Sequence, residues 1–125
     1  MEEIDISKLT CLGKDEVVIV EGKKDKIALE KLGVRNIITL NKPLYLVVED
    51  VASRYKKAVI LTDLDKEGMA LYGRLSSDLQ SHGVSVDNSF RNSLFRNTKL
   101  RQIEGIANYP KLRGICLNVK RNLGD

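Results

Sequence analysis

Two aspartates separated by one residue follow an apolar run near the middle of the chain. Asp63 and Asp65 come shortly after residues 58–61, Ala-Val-Ile-Leu, with Thr62 between, and are followed by Glu67 and Gly68. In extended backbone, side chains two residues apart point to the same side, so the two carboxylates are expected to lie close together. Like charges this close destabilise each other unless one is protonated or a cation lies between them. A hard divalent ion such as magnesium, which prefers oxygen ligands, meets this condition.

The same residues also have a purely structural interpretation. Asp65 precedes a predicted helix and could cap it, and Glu67 in the first turn would interact favourably with the helix dipole. The Asp-x-Asp pair alone does not separate capping from metal binding. A further acid at the end of another strand would favour the metal.

A second strand end carries such an acid. Residues 17–20, Val-Val-Ile-Val, form another continuous apolar run, and Glu21 follows directly. Runs of this kind are typical of strands buried on both faces of a parallel sheet. The carboxyl ends of parallel strands share one edge of the sheet, where open α/β folds bind ligands. If the two strands are neighbours, Glu21 meets Asp63 and Asp65 at that edge.

The rest of the pattern alternates strands with helices. This alternation predicts an α/β domain with about four parallel strands, right-handed crossovers and flanking helices. A chain of 125 residues is expected to form a single domain. The first helix is expected to bury Ile27, Ala28 and Leu32, and residues 103–112 are expected to be helical. Strands are predicted at 16–20, 36–40, 58–62 and 84–86, and helices at about 26–32, 44–55, 67–81 and 89–97.

Composition is ordinary for a globular domain, with 42% hydrophobic and 30% charged residues. The chain has no apolar run near the roughly 18 residues that a membrane span needs, and its first residues are acidic rather than those of a signal peptide. Cys11 and Cys116 are far apart in the sequence and are interpreted as free thiols, with a disulfide between them as the less favoured alternative. We therefore expect a cytoplasmic protein with no membrane partner.

The net charge of +4 is unevenly distributed. Residues 87–125 hold eight Lys and Arg against three Asp and Glu, whereas residues 1–86 are slightly acidic. A basic segment is the usual electrostatic footprint of proteins that bind phosphate-rich partners. The same composition is also found on an ordinary solvated helical surface, so charge alone leaves both interpretations open.

The two strand-end motifs together carry a family resemblance. Residues 18–25, Val-Ile-Val-Glu-Gly-Lys-Lys-Asp, and residues 61–68, Leu-Thr-Asp-Leu-Asp-Lys-Glu-Gly, resemble the Toprim domain. Topoisomerases, bacterial primases, OLD-family nucleases and the ribonuclease that matures 5S ribosomal RNA share this domain. The resemblance covers about residues 16–86 and implies a Rossmann-like Toprim fold. Residues 87–125 would form a basic helical C-terminal extension, and residues 101–105 are similar to small stand-alone Toprim proteins related to the 5S maturase.

The resemblance also implies roles for individual residues. Glu21 would serve as general acid or base and as metal ligand, Asp63 as catalytic residue and metal ligand, and Asp65 as metal ligand. The cofactor would be one or two magnesium ions, for which manganese can substitute. Further acids and three lysines near the motifs complete the candidate set: Asp25 and Glu67 as additional ligands, and Lys23, Lys24 and Lys66 for phosphate or nucleic-acid binding.

The expected function is magnesium-dependent phosphodiester chemistry on RNA or DNA, most simply by a nuclease. The alternative is a nucleic-acid-binding accessory protein that keeps the acidic site but needs a partner, such as a larger processing complex, in order to cut. The choice between RNA and DNA, the number of metal ions and the oligomeric state stay open.

Two other classes of protein place acids at strand ends. A receiver-type phosphoacceptor domain normally pairs two acids after its first strand, whereas here Glu21 is alone and the pair follows the third strand. A phosphatase of the Asp-x-Asp-x-Thr type would need a threonine where this chain has Glu67. Both classes are disfavoured.

Overall fold

The computed structural model describes residues 4–109 and 112–113. Most of residues 110–125, the last part of the predicted basic extension, therefore lie outside the described residues. Six strands, five α-helices and one 3₁₀ helix are assigned within the described part of the chain. In chain order they are β1 (Ile4–Asp5), α1 (Ser7–Thr10), β2 (Glu16–Val20), α2 (Lys23–Lys31), β3 (Ile37–Thr39), α3 (Leu44–Arg54), β4 (Lys57–Leu61), α4 (Lys66–Ser81), β5 (Ser85–Asp87), α5 (Ser89–Asn97), the 3₁₀ helix (Ile103–Asn108) and β6 (Leu112–Arg113).

The main sheet has four parallel strands in the order β3-β2-β4-β5. The predicted fold class, an α/β domain with a four-stranded parallel sheet flanked by helices, is confirmed. Strand β2 pairs with β4 in a register that sets Val20 beside Leu61. The residues that follow these two strands therefore leave the sheet side by side. A separate pair of short parallel strands, β1 and β6, was not predicted.

The sheet is covered on both faces, which explains why its central strands are continuously apolar. In β2, Val17 and Ile19 belong to one core and Val18 and Val20 to the other, and all four are fully buried. Side chains alternate across a strand, so each face of β2 packs against its own helix layer. Helices α3 and α4 cover one face, whereas α2, α5 and the 3₁₀ helix cover the other.

Two details differ from the expectations. Ile27 is 42% exposed instead of buried, and Leu29 is buried. The cause is helical geometry: Asp25, Ala28 and Leu29 are the buried residues of α2, and Ile27 lies on the opposite side of the helix from Asp25 and Leu29. The segment expected to be helical at 103–112 is a 3₁₀ helix that ends at Asn108, and Leu112 lies in β6.

The expectation of free thiols is wrong for Cys11, which is disulfide-bonded. Cys116, the other cysteine of the sequence, lies outside the described residues. None of the helices in the described part of the chain is long and apolar enough to cross a bilayer.

Candidate functional site

Glu21 and Asp63 are in direct contact at the carboxyl edge of the sheet. Glu21 follows β2 and Asp63 follows β4, the neighbouring strand. The main-chain N–H of Asp63 donates a hydrogen bond of 2.7 Å to Oε2 of Glu21. The two strand ends, 42 residues apart in sequence, are therefore joined through these residues.

Asp65 caps α4, as the structural interpretation of the motif expects. Its Oδ1 accepts a 2.7 Å hydrogen bond from the N–H of Gly68. Capping leaves the other carboxylate oxygen of Asp65 without a hydrogen bond in the described structure. One carboxyl group can thus fix the helix start and still offer an oxygen to a cation.

Gly68 holds the loop between β4 and α4 in close packing with the helix. A Cβ at this position would lie 2.2 Å from the carbonyl oxygen of Asp63, closer than any real Cβ contact. The hydroxyl of Thr62 also donates a 2.7 Å hydrogen bond to the Gly68 carbonyl oxygen. The absence of a side chain at residue 68 therefore allows α4 to begin directly against the segment that carries the two aspartates.

Residues 101–103, where the 3₁₀ helix begins, lie against the same carboxyl edge of the sheet. The N–H of Ile103 donates a 2.8 Å hydrogen bond to Oδ1 of Asp63. The N–H of Leu64 donates one of 2.8 Å to the carbonyl oxygen of Arg101. These two bonds hold both the side chain of Asp63 and the main chain after it.

Arg91 of α5 binds the main chain at Thr62 and Asp63. It is only 6% exposed. Its Nε and one terminal nitrogen donate hydrogen bonds of 2.9 Å to the carbonyl oxygens of Thr62 and Asp63. Its guanidinium also lies over the rings of Tyr72 and Phe95, at 4.7 and 5.3 Å from their centroids. Arg91 thus pins the main chain whose N–H binds Glu21.

The pKa of Glu21 is raised above its ordinary value. Burial is the main cause, and the hydrogen bond from the N–H of Asp63 opposes it. The negative charges of Asp63, Asp65 and Asp25 raise the pKa further. A raised pKa makes a carboxyl group a better acceptor of a proton during general acid–base catalysis.

The pKa values of Asp25 and Asp63 are raised as well, and burial is the main cause for both. The charge of Glu104 contributes to each rise. Asp25 is 7% exposed and accepts a 3.2 Å hydrogen bond from the N–H of Gly22, at the start of α2. The carboxylates therefore repel one another at this edge, and a bound cation would relieve that repulsion.

The remaining predicted residues lie at the rim. Glu67 is exposed in the first turn of α4, and it makes no hydrogen bond or ion pair within the described part of the chain. Lys23, Lys24 and Lys66 are exposed at the starts of α2 and α4. Lys23 lines the same cleft as Glu21, whereas Lys24 faces a separate groove beside the 3₁₀ helix.

The donor set matches a hard divalent cation in type and charge. One oxygen each of Glu21, Asp63 and Asp65 accepts a main-chain N–H, and the second oxygen of each has no hydrogen bond to residues 4–109 or 112–113. Carboxylate oxygens are the ligands that Mg²⁺ prefers. As the side chains stand, no three acidic, histidine or cysteine residues of the described regions are arranged to hold a metal ion. Binding would therefore require rotation of at least one carboxylate.

Arg91, Glu104 and the N–H of Ile103 were not anticipated from the sequence. Arg91 could have been recognised from the sequence, because its helical spacing puts it on the buried face of α5 with Leu94 and Phe95. A buried cation needs a hydrogen-bond or charge partner, so such a position indicates a specific contact. Ile103 and Glu104 belong to the segment 101–105 that carried a family resemblance, but nothing in the sequence placed that segment beside Asp63, because its position depends on how the 3₁₀ helix packs.

Comparison with known proteins agrees with this geometry. The sequence model of the Toprim domain matches residues 15–88. A UPF0292 protein of Methanocaldococcus jannaschii is 34% identical over 113 residues, covering 86% of this chain and 88% of the relative. A UPF0292 protein of Pyrococcus abyssi is 44% identical over 99 residues, covering 78% and 74%. A protein from Aquifex aeolicus of known structure is 35% identical, with a TM-score of 0.75, over 81% of this chain and 94% of that one.

The predicted resemblance to the Toprim domain is thereby confirmed. Toprim domains typically bind divalent metal ions such as Mg²⁺, and the domain implies a metal-dependent function related to nucleic acids. From the matched range and the shared identity, the chain belongs to the Toprim family and groups there with the UPF0292 proteins.

Proposed function

We propose that the chain is a nuclease that hydrolyses phosphodiester bonds of nucleic acid with the help of a divalent cation. The observation that carries this proposal is the 2.7 Å hydrogen bond between the Asp63 N–H and Glu21 Oε2. It joins a proton-exchanging carboxyl group to the aspartate pair. A site for phosphodiester hydrolysis needs both a group that moves protons and a set of anionic oxygens for metal.

Glu21 is the proposed general acid and base. As a carboxylate it takes a proton from the attacking water while the water oxygen forms a new bond to phosphorus. The protonated Glu21 then gives this proton to the leaving oxygen as the old P–O bond breaks. The raised pKa of Glu21 supports this exchange, because it makes the carboxylate a better proton acceptor.

Asp63, Asp65 and Glu21 are the proposed ligands of one or two magnesium ions, and Asp25 and Glu67 are further candidates. When bound, the cation would neutralise charge on the phosphate and the attacking and leaving oxygens. Arg91 holds the Asp63 main chain in position through its bond to the Asp63 carbonyl oxygen. It is a positioning residue and not a ligand.

Lysines around the acids are the proposed phosphate contacts. Lys23 lines a cleft of about 590 Å³ that also contains Glu21. Lys24 and Lys66 are exposed at the starts of α2 and α4, the two helices that follow the acid-bearing strands. Cations at these points would attract a polyanion that the carboxylates alone would repel.

The test is cleavage of labelled RNA and DNA, single-stranded and duplex, in magnesium or manganese. Glu21→Gln and Asp63→Asn keep side-chain volume and the hydrogen-bond acceptors but remove the charges. Loss of an acid-base group typically costs about 10²–10⁴-fold in rate, and we expect Glu21→Gln to fall in that range.

Glu16→Gln is the matched control, because Glu16 begins the strand that Glu21 follows and lies at the opposite edge of the sheet. Its variant should cleave at the wild-type rate. Equal cleavage by wild type and Glu21→Gln would contradict the proposed role of Glu21. Binding without cleavage in every metal would favour a different function.

That second function is a nucleic-acid-binding accessory protein. The observation that favours it is that Glu21, Asp63 and Asp65 each already serve the fold, by accepting a main-chain N–H. In this case the acids would hold the sheet edge together, and a partner would supply the catalytic groups. The two functions differ in whether the purified chain cuts alone.

A further inference from the structure

A groove lies beside the acidic edge, between α2 and the 3₁₀ helix. It encloses about 430 Å³, which is within the range of ligand pockets. Its outer wall carries Lys24, Ile27 and Lys31 of α2. The polar side chains of Gln102 and Asn108 lie across from them. None of these five residues except Lys24 has a role in the proposed function.

The groove borders the candidate site through the segment that carries Glu104. Glu104 lines it, and the negative charge of Glu104 reaches Asp25 and Asp63. The neighbouring residue Ile103 donates its N–H to Asp63 Oδ1. One end of the groove is therefore tied to an aspartate of the candidate site, while the lysines continue along α2.

The lysines are spaced to contact more than one phosphate. Lys24 and Lys31 are seven residues apart, so they lie on the same face of α2 and are separated by about 10 Å along its axis. Both are exposed, and neither forms an ion pair within the described regions. Small residues along the groove, Ala28, Gly105 and Ala107, leave room between the two walls.

The side chain of Ile27 favours a single strand over a duplex. It is a large apolar residue, 42% exposed, between the two lysines of the groove wall. In a duplex the faces of the bases are stacked on each other, whereas an unpaired base can lie against an apolar side chain. Amide side chains such as those of Gln102 and Asn108 are common hydrogen-bonding partners of sugar, phosphate and base.

We propose that this groove binds a single polynucleotide strand next to the cleaved phosphate, with Lys24 and Lys31 on the phosphates and Ile27 against an unpaired base. The proposal rests on the proposed function and adds a substrate class to it. The negative charge of Glu104 repels phosphate at the end of the groove nearest the acids. The phosphates of the strand therefore lie along the α2 side of the groove.

The experiment measures binding of fluorescently labelled single strands to full-length protein by anisotropy, over a range of salt concentrations. All proteins carry Glu21→Gln, so that the strand stays intact. Each phosphate contact adds about 0.7 to the slope of log affinity against log salt for a single strand. Lys24→Ala and Lys31→Ala should therefore each lower the slope by about 0.7 and the double variant by about 1.4.

Two further variants sharpen the result. Lys56→Ala removes one exposed lysine at the start of β4, the opposite edge of the sheet, and should leave the slope unchanged. Ile27→Ser should weaken binding of a single strand and leave binding of a duplex of the same sequence unaltered. Circular dichroism of each variant checks that the fold is retained.

The groove proposal is overturned if no strand binds, if Lys31→Ala changes the slope no more than Lys56→Ala, or if a duplex binds more tightly than the single strand. The nuclease proposal is tested separately by cleavage with the Glu21-containing protein. If the protein cleaves nucleic acid but the Lys24 and Lys31 variants leave the salt slope of binding unchanged, only the groove proposal is rejected. If the slopes change as expected but no cleavage is seen, only the nuclease proposal is rejected.

Discussion

Replacement of Gly68 by alanine should destabilise the protein although alanine favours helices. The new Cβ would lie 2.2, 2.8 and 2.9 Å from the carbonyl oxygen, carbonyl carbon and amide nitrogen of Asp63. These are all main-chain atoms, so no side-chain rotation can relieve the overlap. The start of α4 or the Asp63 segment must move instead.

The expected cost combines two opposing effects. Overpacking of a tight site costs about 1–3 kcal/mol, and overlap with main chain belongs at the upper end of that range. Alanine in a helix gains about 1 kcal/mol over glycine. We therefore expect a net loss of about 2 kcal/mol for Gly68→Ala, or a melting temperature lower by roughly 8 °C for a domain of this size.

Gly73 of the same helix provides a matched control. A Cβ at Gly73 would meet no atom within 4 Å. Gly73→Ala should therefore show only the helix gain, about 0.5–1 kcal/mol of added stability. Urea unfolding followed by circular dichroism measures both variants on the same scale.

The same substitution should also disturb the candidate site. Movement of Asp63 lengthens the bond from its N–H to Glu21, so the rise in melting temperature on adding magnesium should shrink in Gly68→Ala and persist in Gly73→Ala. The reasoning fails if Gly68→Ala is as stable as Gly73→Ala and gains as much stability from magnesium.

Three further predictions concern buried or titrating groups. Arg91→Met should cost about 2–4 kcal/mol in urea unfolding, because the carbonyl oxygens of Thr62 and Asp63 lose charged donors; an unchanged unfolding midpoint would contradict this. The raised pKa of Asp63 means that folding favours its protonated form, so its contribution to stability is lost as the pH rises through the folded pKa. At pH 8 without divalent cations, Asp63→Asn should thus melt a few degrees above wild type, and it should gain less from magnesium; a lower melting temperature would refute this. Hydrogen bonds from Ser89 lower the pKa of Asp87. Asp87→Asn should therefore lower the free energy of unfolding by about 0.5–1 kcal/mol at pH 7. The difference from wild type should vanish as the pH falls below the ordinary Asp pKa of 3.8.

The sheet and its acids were predictable because the relevant signals are local. A strand buried on both faces has to be apolar throughout, and both the run before Glu21 and the run before Asp63 met that requirement. The pairing of β2 with β4 is a tertiary contact, and the sequence analysis could state it only as a condition for bringing the acids together. The capping interpretation of Asp65 is confirmed, whereas its role as a metal ligand stays a prediction.

The residues that hold the edge in place were not predictable in the same way. The contact of Ile103 with Asp63 uses a main-chain N–H, which every residue but proline possesses and which therefore leaves no trace in the sequence. Ile27 was expected to be buried with Leu32, although at about 100° per residue the two lie about 140° apart around the helix. The helix packs through Ala28 and Leu29 instead, and this turns Ile27 outward.

The strand order has a consequence for how the protein is made. Glu21 emerges from the ribosome long before Asp63, and the strand it follows is first flanked only by β3. Until β4 inserts on its other side, Glu21 has neither Asp63 nor Asp65 beside it. The full set of acids at this edge therefore comes together only when the central sheet is complete.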